Sequence, residues 1–226
     1  MRPPVLDERL SLAASLFPAC AYGADIGADH GRLSCYLLET GKAERMCVAD
    51  ISAASLKKAG KLLETHRVSQ RADIRVGDGL SVLPQRADVI AILGMGGRTL
   101  SGILKSGKDR LQGAVLILSA HTELPLLREA IMELGYTIET EKIAKAAERF
   151  YVVLRAVPGE EKMGERQLLL GPRLMETAPA HYADYLNWRV GVASQKRTEA
   201  GQKEYQWLKE EYERVLNSGN DGRNAE

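Results

Sequence analysis

Residues 22–39 read YGADIGADHGRLSCYLLE. The apolar run Tyr22 to Ile26 closes at Gly27 and predicts a short buried strand. Gly31 to Glu39 then places Leu33, Tyr36 and Leu37 on one helical face, and Gly41 punctuates the end. A strand, a glycine-bearing loop and a helix make one βα unit, and the chain repeats that unit. Arg45 to Asp50 (RMCVAD) predicts a second strand ending in an acid, and Ser52 is a good N-cap for a helix through Thr65. Ile74 to Val76 predicts a third strand, ending at Gly77-Asp78-Gly79. Ala87 to Leu93 is nearly all apolar and runs into Gly94-Met95-Gly96-Gly97. A helix over Thr99 to Lys105, a strand over Ala114 to Leu118 and a helix from Glu123 to Leu134 follow, the last stopped by Gly135. Strand runs this apolar fit a parallel sheet covered on both faces. Strands alternating with helices predict an α/β, doubly wound, mostly parallel sheet.

Outward from this repeat, residues 5–16 carry Val5, Leu6, Leu10, Ala13 and Leu16 near helical spacing, and Pro18 ends that helix. Tyr136 to Ala144 and Phe150 to Ala156 predict a final antiparallel edge pair. After Ala156 the character changes. Pro158, Gly159, Gly164, Gly171, Pro172 and Pro179 mark a connector with one short helix. Tyr182, Tyr185, Arg189 and Val192, then Tyr205, Leu208, Tyr212 and Val215, follow 3-and-4 spacing. They predict two amphipathic helices, or one long helix broken near Gly201. The expected organisation is a sheet domain over 1–157, a connector over 158–179, a small helical domain over 180–217 and a flexible tail over 218–226.

A net charge of +1 carries no bulk signature of a phosphate-coating protein. Charge is uneven, however: Lys57, Lys58, Lys61, Arg67, Arg71 and Arg75 face only Glu64 and Asp73 in their stretch. That run is either a solvated helix face or an electrostatic footprint beside a nucleic acid. Cys20, Cys35 and Cys47 match no metal spacing, and no HxH or HExxH pair occurs, so no metal is expected. His66 and His181 read as surface residues. Neither a secretory h-region nor a run of 18 apolar residues is present, so the expected compartment is the cytoplasm, with no membrane partner.

In a doubly wound sheet the ligand lies at the carboxyl ends of the strands. The unusual residues gather there. The loop Asp25-Ile26-Gly27-Ala28-Asp29-His30-Gly31 offers close backbone approach, but Asp29 replaces the second glycine of a dinucleotide fingerprint. A carboxylate there sits badly beside a pyrophosphate and suits a phosphate-free cofactor with a cationic centre, such as S-adenosyl-L-methionine. Asp50, 23 residues beyond Gly27, is placed to accept ribose hydroxyls. Asp78 and Gly79 can meet an adenine amino group, and the glycines from Gly94 to Gly97 signal close approach to the methionine half and the incoming substrate. His30 and His121 fall on strand-end loops and can face one cleft.

These motifs resemble those of the bacterial tRNA (adenine-22) N1-methyltransferases, called TrmK. The resemblance rests on Leu6 to Leu10 ahead of the first strand, Asp25-Ile26-Gly27-Ala28-Asp29-His30, Gly77-Asp78-Gly79-Leu80 and Gly94-Met95-Gly96-Gly97, and extends through Gly107-Lys108-Asp109-Arg110-Leu111, Gly135-Tyr136 and Gly171-Pro172. It implies a Rossmann-like S-adenosylmethionine methyltransferase sheet with a C-terminal helical, coiled-coil-like domain that helps hold tRNA. It implies cofactor contact from Asp25, Gly27, His30, Asp50, Ile51, Asp78, Gly79, Gly94, Met95 and Gly96. The catalytic candidates are Asp29, which would hold the adenine edge or the developing charge, His30, which would shape the methyl pocket, and His121. The chain departs from the family pattern at Ser119-Ala120-His121, where Gln-Pro-Asn is usual, at Arg32 and Ser34, which replace Tyr and Pro, and in a shorter C-terminal part. The alternatives are a methyltransferase for another RNA or a small molecule, and a non-catalytic S-adenosylmethionine- and RNA-binding module. A nicotinamide oxidoreductase ranks last, for want of the second glycine. The oligomer expectation is a monomer or weak dimer.

Overall fold

The computed structural model describes residues 2–221. Helix α1 (Glu8–Leu16) starts three residues later than the apolar spacing suggests, because the Asp7 carboxylate accepts the Leu10 N–H at 2.7 Å and caps it there. The units β1 (Cys20–Ile26), α2 (Arg32–Glu39), β2 (Ala43–Asp50), α3 (Ala53–Thr65) and β3 (Ala72–Val76) follow. As expected, Ser52 caps α3, its hydroxyl accepting the Ser55 N–H at 3.1 Å. The second half comprises β4 (Val89–Met95), α4 (Gly97–Ser106), the single turn α5 (Lys108–Leu111), β5 (Val115–Ala120) and α6 (Leu124–Glu133). A hairpin closes the sheet: β6 (Tyr136–Ala146) and β7 (Arg149–Pro158).

The seven strands lie in the order β3-β2-β1-β4-β5-β7-β6. Pairing is parallel from β3 through β5, and β7 runs antiparallel to both β5 and β6. The expected antiparallel edge pair is therefore present. Strand order reverses between β1 and β4, so one half of the chain grows to either side of that junction. Helices α1 to α3 cover one face, with Phe17, Leu37, Leu38, Leu56 and Leu63 packed on Met46, Val48 and Ile117. Helices α4 and α6 cover the other, with Leu100, Leu104, Leu127 and Ile131 on Ile90, Ile92 and Leu118. β3, at the sheet edge, has no fully buried residue, and its last three are exposed.

The apolar cluster under α4 and α6 continues into the C-terminal region, through Leu170, Leu174, Tyr182, Leu186 and Leu208. The connector holds two short helices rather than one, α7 (Glu165–Leu170) and α8 (Pro172–Thr177). They are joined by Gly171 at φ +96°, where a Cβ would meet Arg128 Nη2 at 2.6 Å and Glu141 Oε2 at 2.7 Å. That crowding marks the most enclosed ion pair of the molecule. Arg128 Nε donates to Glu141 Oε1 at 2.8 Å, and both side chains are fully buried. Arg128 Nη1 also donates to the Leu168 carbonyl at 2.7 Å, and the Arg173 N–H donates to Glu141 Oε2 at 3.1 Å. The pair thus ties α6 and β6 to the connector.

Helices α9 (Tyr182–Ala193) and α10 (Glu199–Asp221) complete the chain. Tyr182 bonds Glu211 and Arg189 bonds Glu204, so the two helices run antiparallel. Of the two expected forms the chain takes the first, two helices, with the break at residues 194–198, just ahead of Gly201, which sits in the first turn of α10. Residues 218–221, expected in a flexible tail, continue α10, and 222–226 lie outside the described residues. No helix among the described residues is long and apolar enough to cross a membrane.

Arg128→Met leaves the Glu141 charge buried without its partner. It should lower the unfolding free energy by about 3–5 kcal/mol, read by urea denaturation. Adding Glu141→Gln should recover part of that loss, because no buried charge is then stranded.

Candidate functional site

The carboxyl ends of β1, β2 and β4 open onto two adjoining cavities that share Gly27, Leu93 and Gly94. The first, about 390 Å³, is lined by Asp50, Ile51, Asp78, Gly79, Met95, Thr99 and Ile103 among others. The second, about 490 Å³, is lined by Asp7, Arg9, Asp25, Asp29, His30, Arg32 and His121 among others.

In the first cavity Asp50 is held from both oxygens. Oδ2 accepts the Asp29 N–H at 2.9 Å and Oδ1 accepts the Ser52 N–H at 2.8 Å. Each oxygen keeps lone-pair capacity for a vicinal diol. Ile51 beside it is 73% exposed, an apolar face turned to solvent where a flat ring can be covered. Glycine is required at two points. Gly27 has φ +74°, and a Cβ there would overlap the Met95 methyl. Gly94 has φ +82°, sits at the register shift between β4 and β5, and a Cβ on it would come within 2.8 Å of Arg9 Nη1. The other glycines of that run answer to the loop after β5. Gly97 packs against the carbonyls of Thr122 and Glu123, and a Cβ on Gly96 would meet Thr122 Oγ1 at 3.3 Å. Gly96 is the one cofactor candidate that lines neither cavity.

In the second cavity Asp25 is 4% exposed, and its Oδ2 accepts the Ser34 hydroxyl at 2.7 Å. Burial pushes this carboxyl from 3.8 up to about 6, against the opposing hydrogen bonds from Ser34. Ser34, a departure from the family pattern, is thus the partner of the buried acid. Asp29 stands at the rim with φ +49°, its Oδ1 accepting the Ser55 hydroxyl at 3.2 Å and lying 3.5 Å from His30 Nε2. Lys58 Nζ lies 3.2 Å from the same His30 nitrogen. The basic run on α3 therefore begins at the mouth of the cleft, and Lys57, Lys58 and Lys61 are all exposed. Of Ser119-Ala120-His121, the first two are buried and only His121 reaches the cavity. Desolvation, with the cations of Arg9 and Arg149, holds the His121 imidazole below its ordinary 6.5, so it is neutral at pH 7.

The structure thus brings Asp25, Gly27, Asp29, His30, Asp50, Ile51, Asp78, Gly79, Gly94, Met95 and His121 to one continuous cleft. The sequence reading gave no site role to Arg9, Arg32, Thr99 and Ile103, which line it too. The signal for Arg9 was a cation one turn before Ala13, on the stripe of α1 that turns inward.

These strand-end motifs have a counterpart among known proteins. A family model described as tRNA (adenine(22)-N(1))-methyltransferase matches residues 23–217. The chain belongs to the tRNA (adenine(22)-N(1))-methyltransferase family. It is 34% identical over 157 residues to the enzyme of that name from Bacillus subtilis (strain 168), a match spanning 69% of this chain and 66% of that one. A putative tRNA methyltransferase of Mycoplasma pneumoniae is 29% identical over 180 residues, or 75% of this chain and 81% of that protein. Among solved structures, a Streptococcus pneumoniae protein described as a putative tRNA (m1A22) methyltransferase, in complex with S-adenosyl-L-methionine, superposes with a TM-score of 0.87. Its identity is 25%, over 92% of this chain and all of that chain.

Away from the cleft, the fold assembles a trio that sequence spacing does not reveal. Cys35, Glu39 and His66 place ligand-type atoms within 4.8 Å of one another. His66 is not the surface residue expected: its Nδ1 lies 2.6 Å from Glu39 Oε2, and the two side chains are 11% and 12% exposed. Burial pushes the Cys35 thiol up to about 11, so it is protonated at neutral pH.

Asp25 supplies a pH test. Between about pH 4 and 6 the folded chain keeps a proton that the unfolded chain has released. The stability this group contributes is therefore whole below pH 4 and lost as pH rises through 6. Denaturation of Asp25→Asn should lack that slope, so the variant gains on the parent by on the order of 3 kcal/mol across the window and by no more above pH 7.

Proposed function

We propose that this chain transfers a methyl group from S-adenosyl-L-methionine to N1 of adenine 22 in tRNA, in the cytoplasm. The observation that carries the reading is the composite cleft. A fixed ribose-type acid and an apolar slot adjoin a cavity with a buried, cation-seeking acid and a rim of histidines and carboxylate, in a chain of that family.

The residues fit the cofactor by their own chemistry. Asp50 can take the ribose hydroxyls, Ile51, Met95 and Ile103 can cover the adenine ring, and Asp78 can take its amino group. Asp25 is buried with only Ser34 as its hydrogen-bond partner and suits the cofactor's ammonium group, while Gly27 and Gly94 leave the room a Cβ would fill. When bound, S-adenosyl-L-methionine supplies an electrophilic methyl group on a positively charged sulfur.

Adenine N1 carries an in-plane lone pair, so no base is needed to create the nucleophile. The work of the chain is to hold the ring edge in place and to exclude competing water. The target base must be unpaired and turned out of its helix to reach the cavity. Asp29 Oδ1 at the rim can accept a hydrogen bond from the exocyclic amine and face the positive charge that the methylated ring acquires. His121, neutral and desolvated, can meet the same ring without opposing that charge. Lys57, Lys58 and Lys61 carry the cleft's positive rim outward along α3, where a phosphate backbone can lie.

Incubation with labelled S-adenosyl-L-methionine and unmodified tRNA should yield 1-methyladenosine, lost when the adenine at position 22 of a single transcript is replaced. Asp29→Asn and His121→Ala should each lower turnover about ten- to a hundredfold with cofactor binding intact. The triple change of Lys57, Lys58 and Lys61 to Glu should raise the KM for tRNA and flatten its salt dependence. Tight cofactor binding with no methyl transfer to any tRNA would turn the reading towards a non-catalytic binder.

A further inference from the structure

At the edge of the sheet opposite the cleft, α2 and α3 bring a second group of chemically active side chains together. Helix α2 runs back from the loop after β1, and α3 from the loop after β2, so both end beside the amino ends of the strands. Cys35 and Glu39 are four residues apart on α2 and lie one turn apart on one helical face. His66 ends α3, its N–H donating to the Leu62 carbonyl at 3.0 Å. Arg67 then takes φ +57° and turns the chain away. The imidazole is thereby held at the helix end, with Nδ1 facing Glu39 across the gap.

The group is enclosed. Cys35 is fully buried, and the Glu39 and His66 side chains are 12% and 11% exposed. Among the described residues Glu39 has no lysine or arginine partner, and its neighbour of opposite character is His66 alone. One thiol, one imidazole and one carboxylate form a mixed donor set of the kind that zinc takes, whereas magnesium and calcium favour oxygen ligands. A thiolate and a carboxylate together carry two negative charges, so a divalent ion leaves the buried cluster neutral. The spacing agrees with this. The three ligand-type atoms lie within 4.8 Å of one another. Tetrahedral zinc, with bonds of about 2.0–2.3 Å, holds its ligands roughly 3.5 Å apart, so side-chain rotations of about an ångström complete the set.

We propose that Cys35, Glu39 and His66 form a binding site for one zinc-type divalent cation, which clamps the end of α2 to the end of α3. The ligands are Cys35 Sγ, one Glu39 carboxylate oxygen and His66 Nδ1, with a water in the fourth position, reached through the exposed edge of Glu39 and His66. On ligation the Cys35 thiol releases its proton to solvent, and the imidazole keeps its proton on Nε2. Two helices contribute the ligands, so no metal spacing shows along the chain. The site is independent of the cleft and of the reaction proposed for it.

Calorimetric titration of the chelator-stripped full chain with zinc chloride should show one site, with a Kd of about micromolar or tighter. Cys35→Ser and His66→Gln should each weaken it by about tenfold or more. Zinc at a hundred times its Kd should raise Tm by about 5–10 °C. Cobalt(II) in place of zinc should give a near-ultraviolet thiolate-to-metal charge-transfer band that Cys35→Ser lacks, and magnesium should not displace it. Cooperative thermal unfolding of each variant shows that it is folded; where one is not, the zinc titration and the cobalt spectrum of the unaltered chain decide the matter. Absence of saturable zinc binding would overturn the proposal. Zinc binding that a folded Cys35→Ser retains in full, or a cobalt spectrum without the thiolate band, would do the same, because the ion would then sit elsewhere.

Discussion

Between Ile26 on β1 and Ile92 on β4 two parallel strands lie paired, and beyond them the chain leaves in opposite directions. After β1 it turns to the face covered by α2 and α3, and after β4 to the face covered by α4 and α6. No helix can fill the space directly above that junction, because each crossover must fall on its own side of the sheet. The crevice follows from connectivity, and most of the polar residues placed in it come from strand ends. Asp25 and Gly27 arrive from β1, Asp50 from β2, Gly94 from β4 and His121 from just past β5. The left-handed turns at Gly27 and Gly94 let the backbone bend away at the rim without a Cβ in the opening.

Electrostatics in that crevice are local and opposed. A chain of net charge +1 hides a buried acid, the half-buried Arg9 guanidinium and a neutral histidine within one cavity. Desolvation raises the Asp25 value and lowers the His121 value, so both groups are drawn towards their neutral forms. This is an environment suited to a ligand that carries its own charges, since ammonium, carboxylate and sulfonium groups each find a complementary or a non-opposing partner. The exposed lysines of α3 outside the rim act at longer range and through solvent, on a polyanion rather than on a bound small molecule.

The remainder of the molecule holds this crevice from behind. The Arg128–Glu141 pair joins α6 and β6 to the connector, and the apolar cluster beneath the sheet runs on through α8, α9 and α10. The β6–β7 hairpin brings Arg149 and Tyr151 to the carboxyl edge of β5, because β7 runs antiparallel and starts where β5 ends. An edge strand of opposite direction is thereby the route by which the Tyr151 ring comes to meet His121 edge-on.

The sequence by itself determined the alternation of strands and helices, the antiparallel final pair and most of the cleft. Apolar runs such as Ala87 to Leu93, closed by glycine and alternating with helical segments, fit strands covered on both faces, and residues just past such strands gather at one edge of a parallel sheet. That logic placed Asp25, Asp29, His30, Asp50, Asp78, Gly94 and His121 without any knowledge of distances. Only the tertiary structure decided what depends on contacts between distant segments. Arg9 joined the site because α1 folds back against the sheet, and Tyr151 because the hairpin returns beside β5. Gly96 and Gly97, alike in sequence to Gly94, proved to answer to Thr122 and Glu123, Gly96 to a side-chain hydroxyl and Gly97 to backbone. His66 met Glu39 through packing between elements that carries no periodic signal. Periodicity reports which face of one element is buried, whereas the identity of the group that buries it is a property of the whole chain.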